Sequence, residues 1–233
     1  MEYVTLNNGV KMPILGYGVY QVTKDECERC VLDALEVGYR AIDTAQSYFN
    51  EEEVGAAIQK SGVKRGDIFL TTKVWIEHYG YEAAKRSVLE SMEKLRTDYL
   101  DLVLLHQPFA DYYGAYRALE ELYGEGRGGL FENETLKAIG AKYGKTTAQV
   151  MLRWHIQRGV VVIPKSTHKE RMAENLNVFD FALSAEDMAA IAALDKNESS
   201  FFSHYDPAMV EWFVNMVEER KKNKDCSKEK ESW

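Results

Sequence analysis

Apolar residues recur along the chain in two rhythms that alternate. Between Thr23 and Gly38 the apolar positions Cys27, Cys30, Val31, Ala34 and Leu35 step by 3, 4, 7 and 8, which is one face of a helix. Thr23 with Glu26 three residues on predicts a capping box at its start, and Gly38 predicts the C-cap. Continuous apolar runs at Tyr39–Thr44, Ile68–Trp75, Tyr99–His106 and Val160–Pro164 read instead as buried strands. Further helices are predicted at Glu51–Lys60, Tyr81–Arg96, Tyr113–Tyr123, Glu134–Tyr143, Ala148–Gln157, Lys169–Leu176 and, capped by Ser184, Glu186–Leu194. Tyr3–Leu6 and Val10–Met12 flank Asn7-Asn8-Gly9, the signature of a hairpin. Asp206-Pro207 opens a last helix with the stripe Met209, Trp212, Phe213, Met216 and Val217, which needs to be buried somewhere.

Strand–helix units with buried strands imply a parallel sheet covered by helices. The rhythm breaks at Gly124–Gly129 (GEGRGG), after which two helices follow with no strand between them. No linker divides residues 1–217, which are expected to form one domain. Residues 218–233 carry six basic and five acidic residues and read as a solvated tail.

Composition narrows the function classes. The chain has 233 residues, with 29 Lys and Arg against 37 Asp and Glu, a net charge of −8. That balance argues against a nucleic-acid partner. Three cysteines cannot form a disulfide scaffold and point to a reducing compartment. No apolar run approaches the roughly 20 residues that cross a bilayer, and MEYVTLNNG lacks the pattern of a signal peptide. A cytoplasmic protein with no membrane partner is expected.

Candidate chemistry collects where strands end: Asp43 and Tyr48, Lys73 and Trp75, His106 and Gln107, Lys165 and Ser166. In parallel barrels and open α/β sheets that edge carries the active site. A buried Asp needs a cation, and Lys73 at a neighbouring strand end can provide it. A Lys beside the Tyr48 hydroxyl would stabilise the phenolate, and His106 adds a donor or acceptor, so the four make a candidate general acid. Singly, each has a structural explanation; four at successive strand ends are harder to explain that way. Other signals are weaker. Cys27 and Cys30 belong to a buried helix stripe, Tyr81 and Lys85 lack a Gly-rich turn upstream, and GEGRGG lacks the Lys-Ser/Thr of a P-loop. His78, His155, His168 and His204 have no metal-ligand spacing.

The segments GYRAIDTAQSYFNEEEVG (Gly38–Gly55), TTKVW (Thr71–Trp75), LDLVLLHQP (Leu100–Pro108) and IPKSTHKERMAENLNV (Ile163–Val178) together resemble the aldo-keto reductases, in the branch similar to diketogluconate reductases. The resemblance spans nearly the whole chain. It implies a (β/α)8 barrel with an N-terminal hairpin and NADPH-dependent reduction of an aldehyde or ketone. By that resemblance Tyr48 would be the proton donor, Lys73 and Asp43 would ease loss of its proton, and His106 would orient the substrate carbonyl. Tyr20 and Trp75 would line the substrate pocket. Lys165, Ser166 and Arg171 would hold the adenosine 2′-phosphate, with Glu174 and Asn175 at the adenine and Thr44 also at the cofactor. Two cations and a hydroxyl beside a helix start suit a phosphate dianion, which favours NADPH over NADH.

The chain also departs from the family. Only five barrel strands are predicted, near Leu15, Ile42, Leu70, Val103 and Val161. Units that in the family end in Ser-Asn, in Asn-Gln and in an aromatic turn are missing after residue 127, about 60–80 residues at roughly 30 per unit. Those residues would grip and stack the nicotinamide. Five strands cannot close as eight do, so open edges are expected beside Val103 and Val161. Self-association through those edges or the last helix, and a non-catalytic remnant that keeps only the adenosine-phosphate site, both follow as alternatives.

Overall fold

The turn at Asn7-Asn8-Gly9 folds Tyr3–Thr5 (β1) back on Lys11–Pro13 (β2) as an antiparallel hairpin, with Tyr3 opposite Pro13. The computed structural model describes residues 1–107 and 133–195, together with helical positions 208, 211, 212 and 215. After the hairpin come β3 (Tyr17–Gly18), α1 (Lys24–Val37), β4 (Ala41–Asp43), α2 (Glu51–Lys60), β5 (Phe69–Val74), α3 (Tyr81–Lys94) and β6 (Leu102–Leu105). Beyond residue 132 follow α4 (Glu134–Tyr143), α5 (Thr147–Gln157), α6 (Lys169–Leu176) and α7 (Ala185–Ala192).

Strands β3, β4, β5 and β6 form one parallel sheet in that order. The register sets Gly18 beside Asp43, Asp43 beside Thr71 and Lys73 beside Leu104. A fifth segment lies against the outer side of β3. Leu15 bridges Val162 in parallel, and the Gly16 and Gly18 amides donate to the carbonyls of Val162 and Pro164 at 2.8 and 3.2 Å. Gly18 is required there, because a Cβ would lie 2.9 Å from the Ile163 carbonyl oxygen. The fold is therefore the partial wall of an α/β barrel of the TIM type, with five parallel segments and no closed barrel among the described residues.

Burial follows position in the sheet. All six residues of β5 and all three of β4 are buried, as central strands covered on both faces must be. β6 instead alternates, with Val103 39% and Leu105 61% exposed, and no described strand pairs with its outer side. The main core joins the sheet to α1, α2, α5 and α6 through residues such as Leu15, Tyr17, Val31, Leu70, Leu152 and Met172. Burying each such side chain stabilises the fold by about 1.5–3 kcal/mol. A second cluster, including Leu136, Val150, Trp154 and Ile191, ties α4 to α5 and α7.

The predicted α1 stripe is the buried face of that helix, and Gly38 closes it with a left-handed φ of 113°. Burial pushes the Cys27 thiol up to about 12, as suits an inert core position. Three expectations are corrected. The capping box at Thr23 does not close: the Glu26 amide donates to the Thr23 carbonyl, and the hydroxyl meets the Glu26 carboxylate at 3.4 Å. Val160–Pro164 is not a fully buried strand but an edge held by one bridge, with Ile163 36% exposed. Trp212, from the stripe of the last helix, is 51% exposed. The predicted helix at Tyr113–Tyr123, the Gly124–Gly129 segment and residues 218–233 lie outside the described residues. No described helix is long and apolar enough to cross a membrane.

Candidate active site

Each strand of the sheet delivers one polar group to its carboxyl edge. Asp43 ends β4, Lys73 lies one residue from the end of β5, and His106 follows β6 directly. Lys73 Nζ stands 2.6 Å from Asp43 Oδ2, and both side chains are only 9% exposed. The ammonium also donates to the Thr44 carbonyl at 3.0 Å and reaches Tyr48 Oη at 3.4 Å. Burial pushes the Asp43 carboxyl above its ordinary range, and the Lys73 ammonium pulls it partway back.

Tyr48 is set by a single 3₁₀ turn, Gln46–Tyr48, that leaves the sheet after β4 and enters α2 through Phe49 in a left-handed conformation (φ 58°). Its ring stands edge-on to the His106 imidazole at 5.6 Å and near Tyr20 at 5.1 Å. Trp75 packs on the other side of His106, 5.1 Å away. Asp43, Lys73, Tyr48, His106, Tyr20 and Trp75 thus form one cluster, as a charged pair ringed by aromatics. Trp75 is buried and Tyr20 is 57% exposed, which gives the cluster one open side.

Several polar residues that sequence reasoning did not single out hold this cluster. Gln46 accepts from the Trp75 amide (2.8 Å) and His78 Nδ1 (3.0 Å) and donates to the Ser87 carbonyl and Ser91 Oγ, both at 3.2 Å. It uses every hydrogen-bonding position of its amide. Ser47 Oγ lies 3.1 Å from His106 Nδ1. Asn50, fully buried, donates to the carbonyls of Val19 and Val22 and accepts from Thr44 Oγ1 at 2.9 Å. Thr44, expected at the cofactor, is itself fully buried with its hydroxyl committed to Asn50. The available signal was position alone: all of them flank Tyr48 in the turn.

The second group of predicted residues leaves the same edge one strand further out. Pro164 lies beside Gly18, so Lys165 and Ser166 emerge where Asp43 does. The turn is pinned from beneath by Tyr17, whose hydroxyl donates to the Ser166 carbonyl at 2.5 Å, and by Arg29, which donates to the Thr167 carbonyl at 3.2 Å. Ser166 is buried and its hydroxyl is shared with His168. Lys165 and Arg171 are exposed and join no ion pair among the described residues. Glu174 accepts from Thr146 at 2.6 Å, and Asn175 follows it, half-buried, on α6. Two unpaired cations at the start of α6 fit an anionic group.

A parallel α/β barrel wall with an Asp–Lys–Tyr cluster and a His at its carboxyl edge defines an oxidoreductase of the carbonyl-reducing type. The chain belongs to the Aldo/keto reductase family, whose pattern matches residues 14–128 and 129–196. It is 38% identical to a glyoxal reductase of Bacillus subtilis, over 84% of this chain and 94% of that protein. A methylglyoxal reductase (DkgA) of Escherichia coli is 32% identical over the same share of each. Among solved structures, an aldo/keto reductase from Brucella melitensis superposes with a TM-score of 0.77 at 37% identity, covering 83% of this chain and 98% of that one. A putative 2,5-diketo-D-gluconic acid reductase B gives 0.78 at 33%, covering 87% and 95%. The family match breaks between Gly128 and Gly129, where the predicted rhythm also breaks. The glyoxal reductase alignment has 259 positions but takes in 84% of these 233 residues, about 196. Roughly 60 positions therefore face no residue here, about two strand–helix units.

Proposed function

We propose that this chain is an NADPH-dependent carbonyl reductase in which Tyr48 gives its phenolic proton to the oxygen of an aldehyde or ketone. The observation that carries the reading is the line from Asp43 through Lys73 to Tyr48, with contacts of 2.6 and 3.4 Å. A buried, fixed cation at that distance favours the phenolate left behind when the proton departs. The nicotinamide, when bound, supplies a hydride to the carbonyl carbon. This chain's residues do the rest. His106 orients the oxygen, Trp75 and Tyr20 wall the pocket, and Tyr48 regains its proton from solvent after the alcohol leaves.

Lys165, Ser166 and Arg171 would hold the 2′-phosphate, with Glu174 and Asn175 beside the adenine. Thr44 supports the same site from beneath, through the carbonyl that receives Lys73. A Gox0644 mutant solved in complex with NADPH, 30% identical with a TM-score of 0.78, supports the choice of cofactor. The names of the two bacterial relatives make small dicarbonyls such as glyoxal and methylglyoxal the first substrates to test.

A second reading rests on the open outer side of β6. If nothing there orients the nicotinamide, the chain binds NADPH through its adenosine end and turns nothing over. NADPH oxidation with methylglyoxal, beside NADPH binding by fluorescence, separates the two. The first reading expects carbonyl-dependent oxidation that Tyr48→Phe reduces by about 10²–10⁴ while NADPH affinity stays within about twofold. Binding without turnover in the folded wild type would favour the second.

A further inference from the structure

We propose that Ser47 selects the tautomer of His106, placing the ring proton on Nε2 so that this edge donates to the substrate oxygen. The inference rests on the carbonyl-reductase reading above. A neutral imidazole carries one N–H, and the group bound to one nitrogen decides what the other can do. Ser47 Oγ lies 3.1 Å from Nδ1. A hydroxyl can either give or take a hydrogen bond, so the distance alone leaves two arrangements. A carbonyl oxygen only accepts. If Nδ1–H donated to Ser47, the Nε2 lone pair would face that oxygen, two acceptors in opposition. With Ser47 donating to Nδ1, Nε2 carries the proton and the pairing is complementary.

Little else about His106 is left to vary. Its amide donates to the Val74 carbonyl at 2.9 Å, and its own carbonyl accepts from the Tyr79 hydroxyl at 2.5 Å. The ring is held edge-on between Tyr48 and Trp75 at interplanar angles of 83° and 72°. What remains is a flip about Cβ–Cγ and the site of the proton, and the Ser47 hydroxyl governs both. Ser47 also adjoins Tyr48 in the 3₁₀ turn. One turn therefore aligns the proton donor with the residue that aims the receiving oxygen.

The test is ¹⁵N NMR of the histidine rings in the ligand-free protein, with His106→Gln assigning the resonance. The wild type is expected to have Nε2 protonated, Ser47→Ala to give a mixture of tautomers, and Ser47→Thr to restore the wild-type pattern. In parallel, Ser47→Ala should lower kcat with methylglyoxal about tenfold, the worth of one hydrogen bond, with NADPH affinity unchanged, and Ser47→Thr should recover most of it. An Nδ1-protonated wild type, or a tautomer indifferent to Ser47→Ala, overturns the proposal. A tautomer that responds in a wild type that reduces no carbonyl supports Ser47's hold on the ring and overturns only the reductase reading.

Discussion

At the ends of β4 and β5 the charged side chains Asp43 and Lys73 are buried and joined at 2.6 Å, whereas at the far end of the same edge Lys165 and Arg171 stand in solvent without an ion pair among the described residues. The two regions solve opposite problems. A group that must steady a proton donor has to be fixed before substrate arrives, so its charge is desolvated and tied to a partner that repays part of the cost. Cations that await a ligand's phosphate must stay unpaired, because a resident carboxylate would compete for them. α5, behind the 160–164 segment, contains a third arrangement. His155 is 1% exposed with neither ring nitrogen partnered, and burial together with Arg158 pushes it down to about 4, so it stays neutral.

Substitutions can break this contrast. The largest effect is expected at the buried pair. Lys73→Met leaves Asp43 without its cation and should cost about 3–5 kcal/mol in urea unfolding, with part of the loss recovered in the double variant Lys73→Met/Asp43→Leu. A loss below about 1 kcal/mol would mean that the pair is solvated. Next comes His155. Its folded value lies below the ordinary 6.5, so the unfolded chain takes up the proton first as the pH falls. Stability should hold above about pH 6.5 and decline towards pH 4 by up to about 3 kcal/mol. His155→Leu should flatten that part of the wild-type slope in urea midpoints taken at pH 7.5 and 4.5. The smallest effect is expected at the exposed cations. Lys165→Ala and Arg171→Ala should each weaken NADPH binding about tenfold, leave NADH binding unchanged and move stability by less than about 0.5 kcal/mol. Equal losses for both cofactors would assign these residues to something other than the 2′-phosphate.

Much of this arrangement is legible in the chain because it rests on periodicity or on residue type at a strand end. α2 and α4 have the bounds that their apolar spacing predicts, and Asp43, Lys73, Tyr48 and His106 meet as the strand ends imply. Less legible are residues whose role depends on what folds back against them. Gln46, Ser47 and Asn50 follow no period, and each is explained only by partners 22 to 59 residues away, such as Ser87, His106 and Val22. The 160–164 segment reads as a buried strand because its residues are apolar. Its exposure comes from having β3 on one side and no described strand on the other, which composition does not record.

The narrow approach of Gly18 to Ile163 also bears on the order in which the molecule is assembled. Every other described pairing in the sheet joins neighbours along the chain, but Tyr17 finds the Ser166 carbonyl across a separation of 149 residues. Closing so long a loop carries an entropy cost that local contacts do not, and it slows folding. During synthesis the first four strands can pair while this seam still lacks its second half. Until residues 162–166 emerge, Leu15 and Tyr17 remain a bare edge in the growing chain, and the nucleotide turn they anchor is the last part of the carboxyl edge to be built.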